Sequence, residues 1–162
     1  LQPVLETLEY LKRETDVWFE ITNLVIPGAN DGEAEFEAMT QWIIEHLGPD
    51  VPLHFSAFHP DYRMRDVPHT PHASLIAAHR IARKNGVRHV YVGNVADLGR
   101  GSTYCHECGE RLIERRQYAL SRWRLDAGGA CAACGTPCAG VFAAQPGQWG
   151  ARRLPVRLAD FA

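Results

Sequence analysis

Four of the five cysteines fall into two copies of one pattern, Cys105-His106-Glu107-Cys108-Gly109 and Cys131-Ala132-Ala133-Cys134-Gly135. Two residues between thiolates let both sulfurs face one ion from a tight turn. The glycine that follows tolerates a positive φ, which turns backbone N–H groups toward the sulfurs. Two such turns separated by 22 residues, enough for a hairpin or three short strands, bring four sulfurs into a tetrahedron. The insert is slightly longer than the usual spacing of paired knuckles. Four thiolates close a coordination sphere, so the metal expected at Cys105, Cys108, Cys131 and Cys134 is structural: zinc, or iron on the same ligands in a rubredoxin-like ribbon. In a module too small for much core, the free energy of binding the ion becomes free energy of folding. Cys138 is left over, either a small residue beside the site or an alternative ligand.

No cysteine precedes Cys105, and the opening LQPVLETLEYLKRE has no signal-peptide pattern. Paired knuckles in such a chain point to a reducing compartment, with the cytoplasm as the expected address. With 46% hydrophobic residues and a net charge of −2, the chain is not of a disordered type. No apolar run approaches the ~20 residues of a membrane span. Between Cys105 and Cys138, Arg111, Arg115, Arg116, Arg122 and Arg124 face Glu107, Glu110, Glu114 and Asp126. That near balance reads as a solvated, charge-compensated face and not as a nucleic-acid footprint.

Upstream of the ribbon the pattern alternates between helix and strand. Val4, Leu5, Leu8 and Leu11 recur at helical spacing, then Trp18 to Ile26 forms an apolar, β-rich run closed by Pro27-Gly28. Asn30-Asp31 is placed to cap a helix with the stripe Phe36, Met39, Ile43 and Leu47, ended by Gly48-Pro49. Val51 to Ala57 reads as a second strand. After a long loop, Thr70-Pro71 supplies an N-cap and a proline at the first helical position of a third helix running to Asn85-Gly86. Val87 to Val92 reads as a third strand. Nearly all-apolar strands alternating with helices imply a parallel sheet covered on at least one face, in part of a (β/α) barrel or a doubly wound sheet. A helix that opens such a repeat implies that its own strand lay upstream. The expected architecture is therefore α/β: residues 1–98 as the C-terminal β/α units of a partial TIM-type barrel, 99–142 as a four-cysteine zinc ribbon, and 143–162 as a tail with no assigned structure. The first strand is expected to leave an open sheet edge.

Ligands of β/α folds bind beyond the C-terminal ends of the strands. There the run His54-Phe-Ser-Ala-Phe-His59-Pro-Asp61-Tyr62 gathers histidines, an acid and aromatics on a long loop. A hydrolase could use His54, His59 and Asp61 on a second metal, but His54 and His59 differ by five residues and would face opposite sides of a continuous strand. His59 reads better as a hydrogen-bonding pocket residue. His69, His72, His79 and His89 read as surface or helix-end residues.

Several of these segments have a common likeness. Trp18 to Asp31, His54 to Tyr62, Asp66-Val-Pro-His-Thr-Pro71, Val90-Tyr-Val-Gly-Asn94 and the Thr103-Tyr-Cys-x-x-Cys-Gly ribbon together resemble radical S-adenosylmethionine (SAM) enzymes. The likeness is to the group similar to pyruvate formate-lyase activating enzyme, in particular the AmmeMemoRadiSam-system enzymes, and it covers roughly residues 1–142. The resemblance implies a partial barrel that binds SAM and a [4Fe-4S] cluster. Reductive cleavage of SAM there yields a 5′-deoxyadenosyl radical, which takes hydrogen from a protein or small-molecule substrate, such as a glycine of a partner protein. By position it places Thr22 and Leu24 along the SAM pocket and His59 near the nucleoside. The group's C-x-x-x-C-x-x-C cluster motif has no counterpart here; Cys131, Cys134 and Cys138 run in the reverse order, C-x-x-C-x-x-x-C. The expectation is a C-terminal portion of such an enzyme, inactive on SAM by itself. The competing expectation is a non-catalytic module whose zinc ribbon, on an α/β scaffold, docks a partner.

Overall fold

In the computed structural model, which describes residues 1–147 together with Arg157 and Ala159, the elements follow the expected alternation. They are α1 (Gln2–Glu14), β1 (Ile21–Val25), α2 (Glu33–Leu47), β2 (Leu53–Ala57), α3 (His72–Lys84) and β3 (Val90–Gly93), then β4 (Thr103–Tyr104), β5 (Arg111–Arg116) and β6 (Ala119–Trp123). Most of the tail at 143–162 lies outside the described residues.

β1, β2 and β3 form a parallel sheet in sequential order. Ile21 pairs with Leu53 and Leu53 with Val90, and the register places Thr22, His54 and Tyr91 in one row. Successive strand residues point to opposite faces. On one face Val25, Leu53, Phe55, Ala57, Val90 and Val92 are buried against Phe36 and Ile43 of α2 and Leu75, Ala78, Ile81 and Ala82 of α3. Phe36 meets Phe55 edge-on, ring centroids 5.5 Å apart. Both crossover helices thus cover the same face. The opposite face carries Thr22, Leu24, His54, Ser56, Tyr91 and Gly93, none of them buried. Among the described residues nothing pairs with the outer edge of β1.

The stripe Phe36, Ile43 and Leu47 is buried as its spacing requires, Met39 partly so, and Thr40 completes it with a hydroxyl donated to the Phe36 carbonyl at 2.7 Å. Gly48, at φ 81°, ends α2 with its N–H on the Ile43 carbonyl. α1 buries none of its residues: Val4 is exposed, Leu5, Leu8 and Leu11 are half-covered, and Glu9 reaches His46 of α2 at 2.6 Å.

Two predicted caps are corrected. Gly32, not Asn30 or Asp31, occupies the N-cap of α2. Asn30 instead accepts the Ile26 N–H at 2.6 Å and donates to the Leu24 carbonyl at 3.0 Å, while Asp31 accepts the Gly28 N–H. Pro71 is the N-cap of α3, one residue earlier than the expected N1 position. Thr70 donates to the Val25 carbonyl at 2.5 Å and accepts the Phe58 N–H at 2.7 Å. All three side chains satisfy backbone groups at or just beyond the ends of β1 and β2, where the ladder stops; the Thr70 bonds are buried, a more demanding need than that of a helix end open to solvent.

β4, β5 and β6 form an antiparallel sheet in sequential order. Its core is small: Leu112, Ile113 and Leu125 with three of the cysteines, flanked by Trp123 and Phe142. The ribbon joins the parallel sheet at Tyr91, whose hydroxyl lies 2.8 Å from Thr103 Oγ1; Arg115 donates to the same oxygen and lies over the Tyr91 ring.

Candidate metal centre

The two knuckles are built alike. In each, the first cysteine donates its N–H to the carbonyl five residues on, Cys105 to Glu110 and Cys131 to Thr136, both at 2.8 Å. In each, the glycine returns its N–H to the first cysteine's carbonyl, from Gly109 at 3.1 Å and from Gly135 at 2.8 Å. Gly109 and Gly135 take φ of 74° and 77°, the left-handed conformation that makes glycine the fitting residue there. Antiparallel bridges Leu125–Cys131 and Ala130–Pro137 close the second knuckle, and the Ala132 N–H on the Arg124 carbonyl at 3.0 Å with the Arg124 N–H on the Leu112 carbonyl at 2.7 Å tie it to β5.

The result is a four-sulfur cluster. Cys105 Sγ lies 3.6 Å from Cys134 Sγ, Cys108 Sγ lies 3.7 Å from Cys131 Sγ, and all four sulfurs fall within 4.8 Å of one another. A tetrahedral centre with metal–sulfur bonds of about 2.3 Å has sulfur–sulfur edges of about 3.8 Å, whereas a disulfide would need about 2.05 Å. The donor set and spacing fit a four-coordinate ion, so these residues could hold zinc or iron. The first cysteine of each knuckle is buried, Cys131 at 1% exposure and Cys105 at 5%, and the second is exposed. Cys134 is held below the ordinary thiol range, first by the Thr136 hydroxyl at 3.3 Å from its sulfur and then by the Thr136 N–H, while its neighbour Cys108 is pushed up by the adjoining sulfurs, so one thiolate of the set is favoured before a metal is bound. Cys138 is buried close by but stands outside the four; burial pushes its thiol up to about 11.

The remaining predicted residues are dispersed. Thr22 and Leu24 share the uncovered face of the parallel sheet, Leu24 at 43% exposure. His59 lies past the end of β2, exposed, its ring edge-on to His69 with centroids 4.5 Å apart, and it makes no side-chain hydrogen bond among the described residues. His54, His59 and Asp61 do not assemble; the four cysteines are the sole metal-competent group among the described residues. His54 Nε2 instead donates a hydrogen bond to the Glu20 carboxylate at 2.6 Å, and the ring stacks on Tyr91; that bond, before any other cause, holds the Glu20 carboxyl below its ordinary range.

His89 corrects the surface reading: it is 3% exposed, and its Nε2 is buried without a partner. His79 is half-buried on α3, and burial first, then the Arg100 and Arg83 charges, push it down to about 4. Neither was legible locally, because both are covered from outside their own element. Glu20 was missed too; the faint signal was its place just before a strand whose neighbour carries His54 in the adjoining row.

No helix among the described residues is long and apolar enough to cross a membrane. The chain is similar to a protein of Methanocaldococcus jannaschii described as uncharacterized protein MJ0808, with 41% identity over 126 residues. The match takes in 78% of this chain and 38% of that protein, so the chain spans well under half of the relative's length. No protein-family model and no solved structure matches it.

Proposed function

We propose that this chain is the C-terminal portion of a radical SAM enzyme, a partial β/α barrel finished by a structural zinc ribbon. The observation that carries the reading is the one-sided sheet: three parallel strands in sequential order, both helices on one face, and an uncovered face that carries Thr22, Leu24, His54 and Ser56. In a closed or partial barrel that face lines the interior where a ligand binds at the strand ends. The length of the relative, which the chain matches over 38%, leaves room for further β/α units in a protein of this kind. In this reading Thr22 and Leu24 form part of the wall against SAM, and His59 approaches its nucleoside once the rest of the barrel encloses the loop.

The iron–sulfur cluster does not fit this chain. Its four clustered cysteines form a closed set with no open position for SAM, and the C-x-x-x-C-x-x-C spacing is absent. The ribbon therefore serves as a brace, and the cluster ligands belong to another part of the parent enzyme. The substrate, protein or small molecule, is not specified by any of these residues.

The test is 5′-deoxyadenosine formation after anaerobic iron–sulfur reconstitution and reduction, measured on this chain and on the full-length M. jannaschii relative. The expected outcome is no product from this chain and cluster-dependent product from the relative. A relative that loads a cluster yet releases no 5′-deoxyadenosine overturns the reading. A rival reading, a ribbon module that only docks a partner, draws on the same closed thiolate set and predicts a relative that takes up no cluster.

A further inference from the structure

Between the C-terminal half of α3, the start of β3 and the first cysteine turn lies a cavity of about 430 Å³. Tyr91 is the one residue it shares with the uncovered sheet face, and it has no part in the function proposed above. Arginines 83, 88 and 100 and histidines 79, 89 and 106 line it, against one carboxylate, Glu107.

The thiolates of the neighbouring knuckle do not account for this concentration of basic groups. Arg88 pairs with Asp50 at 2.9 Å and Arg100 with Asp97 at 2.8 Å, both carboxylates lying outside the lining, and none of the three guanidiniums bonds a sulfur. Arg83 donates only to the carbonyls of Val87, at 3.0 Å, and Arg88, with no carboxylate against it among the described residues. His89 is the second observation. It is almost wholly buried, lines the cavity, and makes no side-chain hydrogen bond among the described residues. Rings buried to that degree ordinarily have a partner.

We propose that this cavity binds a phosphate group carried on a small molecule, with Arg83 and Arg100 as the charged donors. Planar guanidiniums present parallel N–H groups that match two oxygens of a phosphate. The cavity exceeds what a bare phosphate fills and falls within the roughly 300–1,000 Å³ of small-molecule sites, which favours an ester over the free ion.

The experiment is calorimetric titration of the zinc-loaded 162-residue protein, in chloride buffer, with inorganic phosphate and separately with glycerol 3-phosphate. Saturable one-site binding is expected, tighter for the ester. Arg83→Gln and Arg100→Gln are each expected to weaken it at least tenfold. Arg80→Gln, on the same helix but paired with Glu33 away from the cavity, should stay within twofold. Tighter binding of the free ion overturns the ester assignment. Absence of saturable binding by either probe, or binding unaltered in both the Arg83 and Arg100 variants, overturns the site.

Discussion

Replacing Cys131 by serine removes the most deeply buried of the four ligands, and its effect follows from the cluster's geometry. Sulfur–sulfur edges of 3.6 and 3.7 Å already match the roughly 3.8 Å edge of a tetrahedral zinc–thiolate centre, so little of the binding free energy is spent on rearranging the knuckles. Structural zinc in small modules binds with an apparent free energy of about 10–16 kcal/mol. Shared over four ligands, that is roughly 3–4 kcal/mol for one thiolate, a loss of about two to three orders of magnitude in affinity. The three aliphatic side chains of the ribbon core, Leu112, Ile113 and Leu125, are too few to hold the sheet once the ion leaves. Competition with a chromophoric chelator should therefore show Cys131→Ser surrendering its metal at a hundredfold lower chelator strength or less. Hydrogen exchange should then lose protection across β5 and β6 while that of Leu53 and Phe55 persists. Cys138→Ser, at a thiol outside the four, should keep one ion per chain. Equal metal loss from both variants would refute the assignment of ligands, and full ribbon protection without metal would refute the claim that binding supplies the fold.

Further outcomes follow from the α/β layer. Thr70→Val keeps the side-chain volume but strips the buried Val25 carbonyl and Phe58 N–H of their partner. At about 1–3 kcal/mol for each unsatisfied group it should cost about 2–6 kcal/mol in chemical denaturation, and Thr70→Ser should cost markedly less. His79 has a folded value of about 4, below its unfolded value near 6.5, so its contribution to stability is complete above the unfolded value and is lost as pH falls toward 4. Unfolding free energies at pH 7 and 4.5 should differ less in His79→Gln, by about 1–2 kcal/mol after allowance for the ring's partial exposure; acid release of metal is common to both proteins and cancels in that comparison. Finally, Phe55→Ala, on the covered face, should cost about 3–5 kcal/mol. Leu24→Arg on the uncovered face should stay within about 0.5 kcal/mol, which denaturant titration of the pair will decide.

The parts of this molecule that could be read from sequence are those whose cause lies within a few residues. The knuckles were legible because two intervening residues and a glycine suffice to dictate each turn, and α2 because Phe36, Ile43 and Leu47 repeat at the helical period. The caps misled because Asn30, Asp31 and Thr70 can serve a helix end or a strand end equally well. The choice depends on where Val25 and Phe58 meet, and Thr70 stands 45 residues from Val25. His89 was misread for a related reason: β3 gives it a polar-looking neighbourhood, Arg88-His89, and only the packing of other elements over that strand start buries it. The Glu20–His54 pair spans 34 residues and becomes visible only when the register of β1 against β2 is known.

That pair also bears on which α/β architecture the sheet belongs to. A doubly wound sheet carries helices on both faces, and its strands are apolar on both. Here the face under α2 and α3 is closed and mostly apolar, while the other holds a histidine–carboxylate bond, a threonine, a serine and a tyrosine ring stacked on the histidine, beside the exposed Leu24. Helices packed over that row would desolvate Glu20 and His54 together, a penalty their single bond offsets poorly. An interior that admits ligand and water imposes no such penalty. On the proposed reading the polar row belongs to the inside of a barrel wall and not to the second side of a sandwich, and that proposal is the physical reason to test SAM chemistry on the longer relative before any other activity.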